Sequence, residues 1–118
     1  MSDTSESILG SVKAAIGIVP DYTFFDDQLI MHINTVFSEL TQLGVGPEDG
    51  FEITGSDETW SSYLVGNKLL NQVKTLVVLK VRNMFDPPSS SFAIDSANKI
   101  IDELVWRINV AVDPEGGA

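Results

Sequence analysis

The sequence predicts an all-α fold: a small domain of about five helices around one long central helix, with a long loop between helices two and three that has room for a short β-hairpin. Three observations carry this reading. The first is the stretch Asn67 to Pro88, in which seven of the ten residues from Leu76 to Phe85 are apolar. At roughly 100° per residue, Leu69, Leu70, Val73, Leu76, Val77 and Met84 share one face. Val78, Leu79, Val81 and Phe85 point round the sides and back. A helix apolar nearly all round is covered on several sides, so this one is either the central strut of its own domain or a strut partly covered by a second copy. The second observation is the helical spacing of Leu29, Ile33, Val36, Phe37, Leu40 and Leu43 over about four turns. The third is the line Ala93, Ala97, Ile101, Leu104 and Ile108, which marks the inward side of a final helix. The predicted core is Leu29, Ile33, Phe37, Leu40, Val73, Leu76, Val77 and Leu104.

Bulk composition narrows the class. The chain has 118 residues, the length of one domain, and a 43 % apolar fraction. Residues 1–112 read as that domain and 113–118 as a disordered tail. The absence of cysteine excludes a disulfide framework and thiol catalysis. The start MSDTSESILG lacks the basic opening and long apolar run of a signal peptide, so a soluble cytosolic product is expected. The strut is too short and too charged, with Lys68, Lys74, Lys80 and Arg82, to cross a membrane. Acidic residues outnumber basic ones 17 to 7, a net charge of −10. Such a surface repels phosphate backbones, which disfavours duplex binding but suits a wall past which DNA slides. Solubility alone also accounts for it.

In chain order, residues 5–16 read as a first helix. Ser5 or Thr4 is its cap, Glu6 lies at the positive end of its dipole, and Ile8, Val12, Ala15 and Ile16 form its apolar side. Gly17 and Pro20 close it. Asp26 or Asp27 opens the second helix, with Phe25 placed to staple onto Ile30 or Leu29. Gly44 stands where a left-handed C-cap is wanted, and Pro47 prevents resumption. His32 flanks the apolar stripe; with no second histidine or cysteine it reads as a locally hydrogen-bonded residue rather than a metal ligand. Met31 points away from the stripe, as a harmless exposed side chain or a contact for another molecule.

Residues 44–58 are expected to form the longest non-helical segment, with Phe51 to Thr54 as a short strand or one arm of a hairpin. The spacing of an EF-hand is absent from its carboxylates. Phe51 and Ile53 in an acidic loop suggest a reaching arm whose tip packs on a partner. Ser56 or Asp57 caps a short third helix with Glu58 in its first turn, and Trp60, Tyr63 and Leu64 share a side of it. Gly66 separates this piece from the strut. Within the strut, Lys80 either lays its stem along the core or meets a carboxylate. Asp86-Pro87-Pro88 ends the helix, because a proline ring disfavours helical geometry in the residue before it. Ser89 to Ser91 supplies the cap of the last helix, about 91–110, whose outer side carries the i,i+4 pairs Asp95–Lys99 and Glu103–Arg107. Trp106 falls on that polar side, as an exposed anchor for a partner or as a residue buried by a bend of the helix end.

No P-loop, dinucleotide fingerprint, zinc spacing or Gly-x-Ser-x-Gly elbow occurs. One histidine leaves few routes for proton transfer at neutral pH. The reading is therefore of a non-enzyme that needs no cofactor or metal and acts by contact, with Met31, Phe51, Ile53, Val78, Leu79 and Trp106 as candidate subunit or partner contacts.

Six segments taken together resemble the head–tail connector proteins of tailed bacteriophages. They are Tyr22-x-x-Phe25-Asp26-Asp27; Ile30-x-His32-Ile33-Asn34-x-x-Phe37; Gln42-Leu43-Gly44-Val45-Gly46; Lys74 through Arg82; Met84-Phe85-Asp86-Pro87-Pro88; and Glu103-x-x-Trp106-Arg107. The likeness covers about residues 6–111. It implies a mostly helical adaptor in the virion neck, made in the host cytoplasm and assembled as a closed homo-oligomeric ring, commonly of about twelve subunits. It implies the portal protein above as partner, and a head-closure or tail protein below. Genomic DNA would pass the channel without specific binding, and no membrane is involved. Charge alone motivates a different reading, an acidic DNA mimic that inhibits a nucleic-acid enzyme. That would bind a basic partner with steep salt dependence.

Overall fold

The backbone hydrogen bonds that end the first two helices explain why the chain turns where it does. The computed structural model describes residues 7–64 and 70–112. Helix α1 (Ile8–Ala15) is followed by Gly17 at φ +85°, and α2 (Asp26–Gln42) by Gly44 at φ +91°. In both, the glycine N–H and the next N–H reach back to free carbonyls of the last turn. Gly17 and Ile18 donate to Ala14 and Lys13; Gly44 and Val45 donate to Thr41 and Leu40. This is the Schellman arrangement, which needs a left-handed residue that glycine adopts without steric cost. After α2 its apolar partner pair is Leu40 with Val45, both buried.

Helix α1 starts later than the spacing suggests. Ser7 is its N-cap, its hydroxyl accepting from Gly10 N–H at 3.1 Å. The expected caps Thr4 and Ser5, with Glu6, lie outside the described residues, as do Gly66, Lys68, Leu69 and the tail 113–118. Ile8 and Val12 are buried and Ile16 half-buried, but Ala15 faces solvent. Helix α2 begins at the expected Asp26, and Asp26 and Asp27 complement its dipole. Phe25 occupies the cap position itself, and its ring meets Phe85 edge-on at 5.0 Å.

Helix α3 (Trp60–Tyr63) is capped by Thr59, not by Ser56 or Asp57. Thr59 and Ser62 form a reciprocal capping box, a hydroxyl at N3 doing the work of the usual Glu or Gln. Glu58 lies before that cap and accepts from the backbone and hydroxyl of Thr54, each at 3.0 Å.

Helix α4 (Leu70–Phe85) is unbroken and packs against α1, α2 and α5 (Ser91–Val112). Its buried residues are Leu70, Val73, Leu76, Val77 and Val81, with Val78 and Leu79 half-buried against the same core. The apolar sides of the strut are thus covered within one chain. Val81 replaces Met84 on the buried face; Met84 stands near the helix end and is 39 % exposed. Leu76 is almost fully buried, so Leu76→Ala is expected to cost about 2–5 kcal/mol. A thermal midpoint that hardly moves would contradict this packing. Lys80 meets a carboxylate, forming an ion pair with Glu39 of α2. Helix α5 is capped by Ser90, whose hydroxyl accepts from Ala93 N–H. On its surface Glu103 and Arg107 pair, while Asp95 and Lys99 do not. An exposed pair of this kind contributes little.

Leu29, Ile33, Phe37, Leu40, Val73, Leu76 and Val77 are all in the core, with Leu104 half-buried beside them. The buried set also includes Val45, Ile53, Trp60 and Ile108. Among the described residues there is no strand; one isolated antiparallel bridge joins Ser7 to Thr59.

Candidate interaction surfaces

The loop after α2 contains neither hairpin nor free arm. Where a strand would need a partner strand, the Asn34 side chain takes that role. Its amide oxygen accepts from Ile53 N–H at 2.8 Å and its amide nitrogen donates to Ile53 C=O at 3.0 Å. Both polar groups of one backbone residue are thereby satisfied by one side chain. This drops the Ile53 side chain into the core, 1 % exposed. Phe51 lies half-buried on Phe37 and Tyr63, at ring separations of 5.5 and 5.0 Å. Of the two apolar residues assigned to a reaching tip, one is wholly inside its own chain and the other largely against it.

Glu58 fastens the other end of that loop. Burial raises its pKa, but hydrogen bonds from its own backbone, from Thr54 and from Gly55 outweigh this, and the carboxyl lies below 4.5. A lowered folded pKa stabilises the fold at pH values above 4.5, and the contribution fades as pH falls through the folded value. Wild type is therefore expected to exceed Glu58→Gln in stability at neutral pH, with the gap closing in acid. Denaturant titrations at several pH values measure it; a gap independent of pH contradicts the assignment.

Among the described residues no cavity brings together a catalytic constellation. The groove between α2 and the loop, about 510 Å³, is lined by Asn34, Ser38, Thr41, Gln42, Asp49, Gly50, Phe51 and Glu52. Among the described residues no group of three His, Cys, Asp or Glu side chains is placed to hold a metal ion, and no helix is long and apolar enough to cross a membrane. Burial pushes the Tyr63 phenol far up, so it stays neutral. His32 is half-buried on the flank of α2.

Exposed apolar side chains define two larger surfaces. One is the turn between α1 and α2, where Val19 (64 % exposed), Tyr22 and Phe24 (76 %) project. They stand on a rigid base. Tyr22, Phe24 and Phe25 contact one another at ring separations of 4.9–6.3 Å, and Phe25 rests on Phe85. Lys13 anchors the same turn from below. Its buried ammonium donates to Pro20 C=O at 3.0 Å and lies 2.8 Å from the Asp26 carboxylate, the hydrogen bond to Pro20 being the aligned one of the two. The second surface is the outer side of α5, where Phe92 (82 %), Ile100, Trp106 (64 %) and Val110 face solvent. The α5 end does not bend inward over Trp106. Met31 is also exposed, whereas Val78 and Leu79 pack on their own core.

Phe92 and Phe24 were not among the contacts expected from sequence. A run of three aromatics in four residues, Tyr22 to Phe25, just before a helix start was the signal for the first surface. Phe92, seven and fourteen residues before Lys99 and Trp106, was the signal for the second.

The model of the phage connector protein family matches residues 8–115. The chain belongs to this family. The match spans the five helices of the described residues rather than one short motif. No curated protein and no solved structure gives a significant match. A bacteriophage connector role follows from membership, and connectors as a family are structural proteins. The exposed apolar side chains of this family member stand mainly at the α1–α2 turn and on the outer side of α5.

Proposed function

We propose that this connector is a head–tail adaptor of the virion neck, assembled as a ring of about twelve copies beneath the portal, lining the DNA channel and docking the next neck or tail protein. The observation that supports it best is the family match over residues 8–115, in a fold whose exposed apolar side chains gather mainly at the α1–α2 turn and along α5, with Met31 and Met84 standing apart on α2 and α4. A single docking patch would serve a dimer; an adaptor must meet copies of itself and proteins above and below. A net charge of −10 fits a channel wall that DNA passes without adhering. No substrate chemistry is needed for any of these tasks.

The test is assembly on the cognate portal protein. Mixing the purified connector with portal rings should give a stacked complex with an open centre by electron microscopy, stable when salt is raised, because apolar anchors and not counterion release hold it. Portal rings that stay bare would overturn the proposal. Salt-sensitive binding to a basic nucleic-acid enzyme instead would establish the DNA-mimic reading.

A further inference from the structure

The two exposed apolar surfaces differ in shape, and each carries one group that the other can use: a carboxylate on the first, and on the second an ammonium between two aromatics, unpaired among the described residues. The α1–α2 turn is a short projecting knob, Val19 to Phe24, held by Lys13 and by the Phe25–Phe85 contact. Its charged residues are acidic only: Asp21 lies within it, and no Lys or Arg occurs from Gly17 to the far side of Met31. The α5 surface is a stripe. Phe92, Lys99, Trp106 and Val110 follow one another at seven, seven and four residues, which sets them along one side of the helix over about 27 Å. Lys99 sits midway between the two exposed aromatics. Arg107 is taken up by Glu103 and Lys80 by Glu39, whereas Lys99 forms no ion pair within the described residues. Asp95, Asp102 and Glu103 stand at i−4, i+3 and i+4 from Lys99 without pairing to it, so Lys99 is the ammonium of this stripe left for a carboxylate that comes from outside the helix.

We infer that the knob of one copy docks on the α5 stripe of the next, Phe24 packing between Phe92 and Trp106 and Asp21 meeting Lys99. The inference rests on the ring reading above and gives that ring its contact. Two different faces of one chain joined in this way make a heterologous interface, which closes into a ring when the rotation between copies allows. Large aromatics at the centre with a charged pair beside them match the composition of interface hot spots. Lys13 is then a positioning residue, since it fixes the backbone that presents Phe24.

Sedimentation of the full chain up to about 1 mM, the weak end of specific association, reads the contact directly. Wild type should self-associate. Phe24→Ala and Trp106→Ala, each with unchanged helicity and melting, should weaken association about thirtyfold or more. An equal mixture of the two variants should form dimers and stop there, because one intact knob meets one intact stripe and the remaining pair is doubly damaged. Asp21→Lys and Lys99→Asp should each weaken assembly, and the chain carrying both should regain it. A wild type monomeric throughout, an associating Phe24→Ala or Trp106→Ala, a mixture that stays monomeric, or a double charge exchange without recovery would each overturn the contact. Portal stacking that survives those variants would leave the adaptor role standing while removing this interface from it. Loss of portal binding by Trp106→Ala with self-association intact would assign the α5 stripe to a different protein and overturn the proposal.

Discussion

Phe37→Ala is expected to lower the stability of the isolated chain by about 3–5 kcal/mol, the range for removing a buried phenylalanine. The Phe37 side chain is fully buried, and its ring lies 5.5 Å from Phe51, 6.4 Å from Trp60 and 4.5 Å from Tyr63. Those three neighbours belong to the loop and to α3, which this ring ties to α2 together with the Asn34 clamp, while the Ser7–Thr59 bridge and Ile8 N–H to Glu58 C=O tie them to the start of α1. The cavity left behind cannot collapse easily, because the neighbours are themselves large and fixed. Trp60, for instance, donates its indole N–H to the Ser11 hydroxyl at 2.9 Å. With about 4–8 °C of melting shift per kcal/mol for a domain of this size, the midpoint should fall by at least 12 °C. Near-ultraviolet dichroism should lose intensity as the aromatic set loosens. A shift of a degree or two would mean that the loop and α3 are not packed as described.

Lys13→Met is expected to cost about 2–4 kcal/mol. Breaking a fully buried ion pair by removing one partner costs about 3–5 kcal/mol, and the partial exposure of the Asp26 side chain, 23 %, reduces that. Loss of the charge-assisted hydrogen bond to Pro20 C=O adds to it. Methionine keeps the stem's apolar contacts, so the effect reports the charge and not the volume. The distribution of the damage distinguishes this variant from a core deletion. Hydrogen exchange should accelerate first at the turn from Gly17 to Phe25, while α4 stays protected. A double-mutant cycle with Asp26→Asn should show coupling between the two sites. Additive effects would reduce Lys13 to a satisfied core lysine with no hold on the turn.

Most of the helical framework was legible because helices are specified locally. The spacing of Leu29 to Leu43 and of Leu70 to Val77 marks the buried faces, and a left-handed position after α2 demanded a residue such as Gly44. The proline pair after Phe85 stopped α4 for a reason confined to adjacent residues. The errors lie where the deciding partner is distant in sequence. By angle Met84 has the better claim to the buried face and Val81 lies at its edge, yet Met84 stands in the last turn of α4 and is exposed, while Val81, a turn earlier, packs in the core. Ser56, Asp57 and Thr59 are all competent caps; Thr59 is chosen where the chain meets Ser7 across an antiparallel bridge.

The sharpest case is the apolar residues outside helices. Phe24 and Ile53 both stand in loops beside acidic residues, and nothing local distinguishes them. Asn34, nineteen positions away, satisfies both backbone polar groups of Ile53 and so allows that segment to enter the core. No such partner exists for Phe24 among the described residues; it stays 76 % exposed on a turn pinned by Lys13. Sequence alone therefore determined which segments are helical, where α1, α2 and α4 stop and most of the residues they bury, since these follow from periodicity and backbone preference within a few residues. Only the tertiary structure decided which loop residues face inward and which remain for a neighbour, because burial of a loop requires hydrogen-bond partners for its backbone, and those are supplied by side chains brought near by folding.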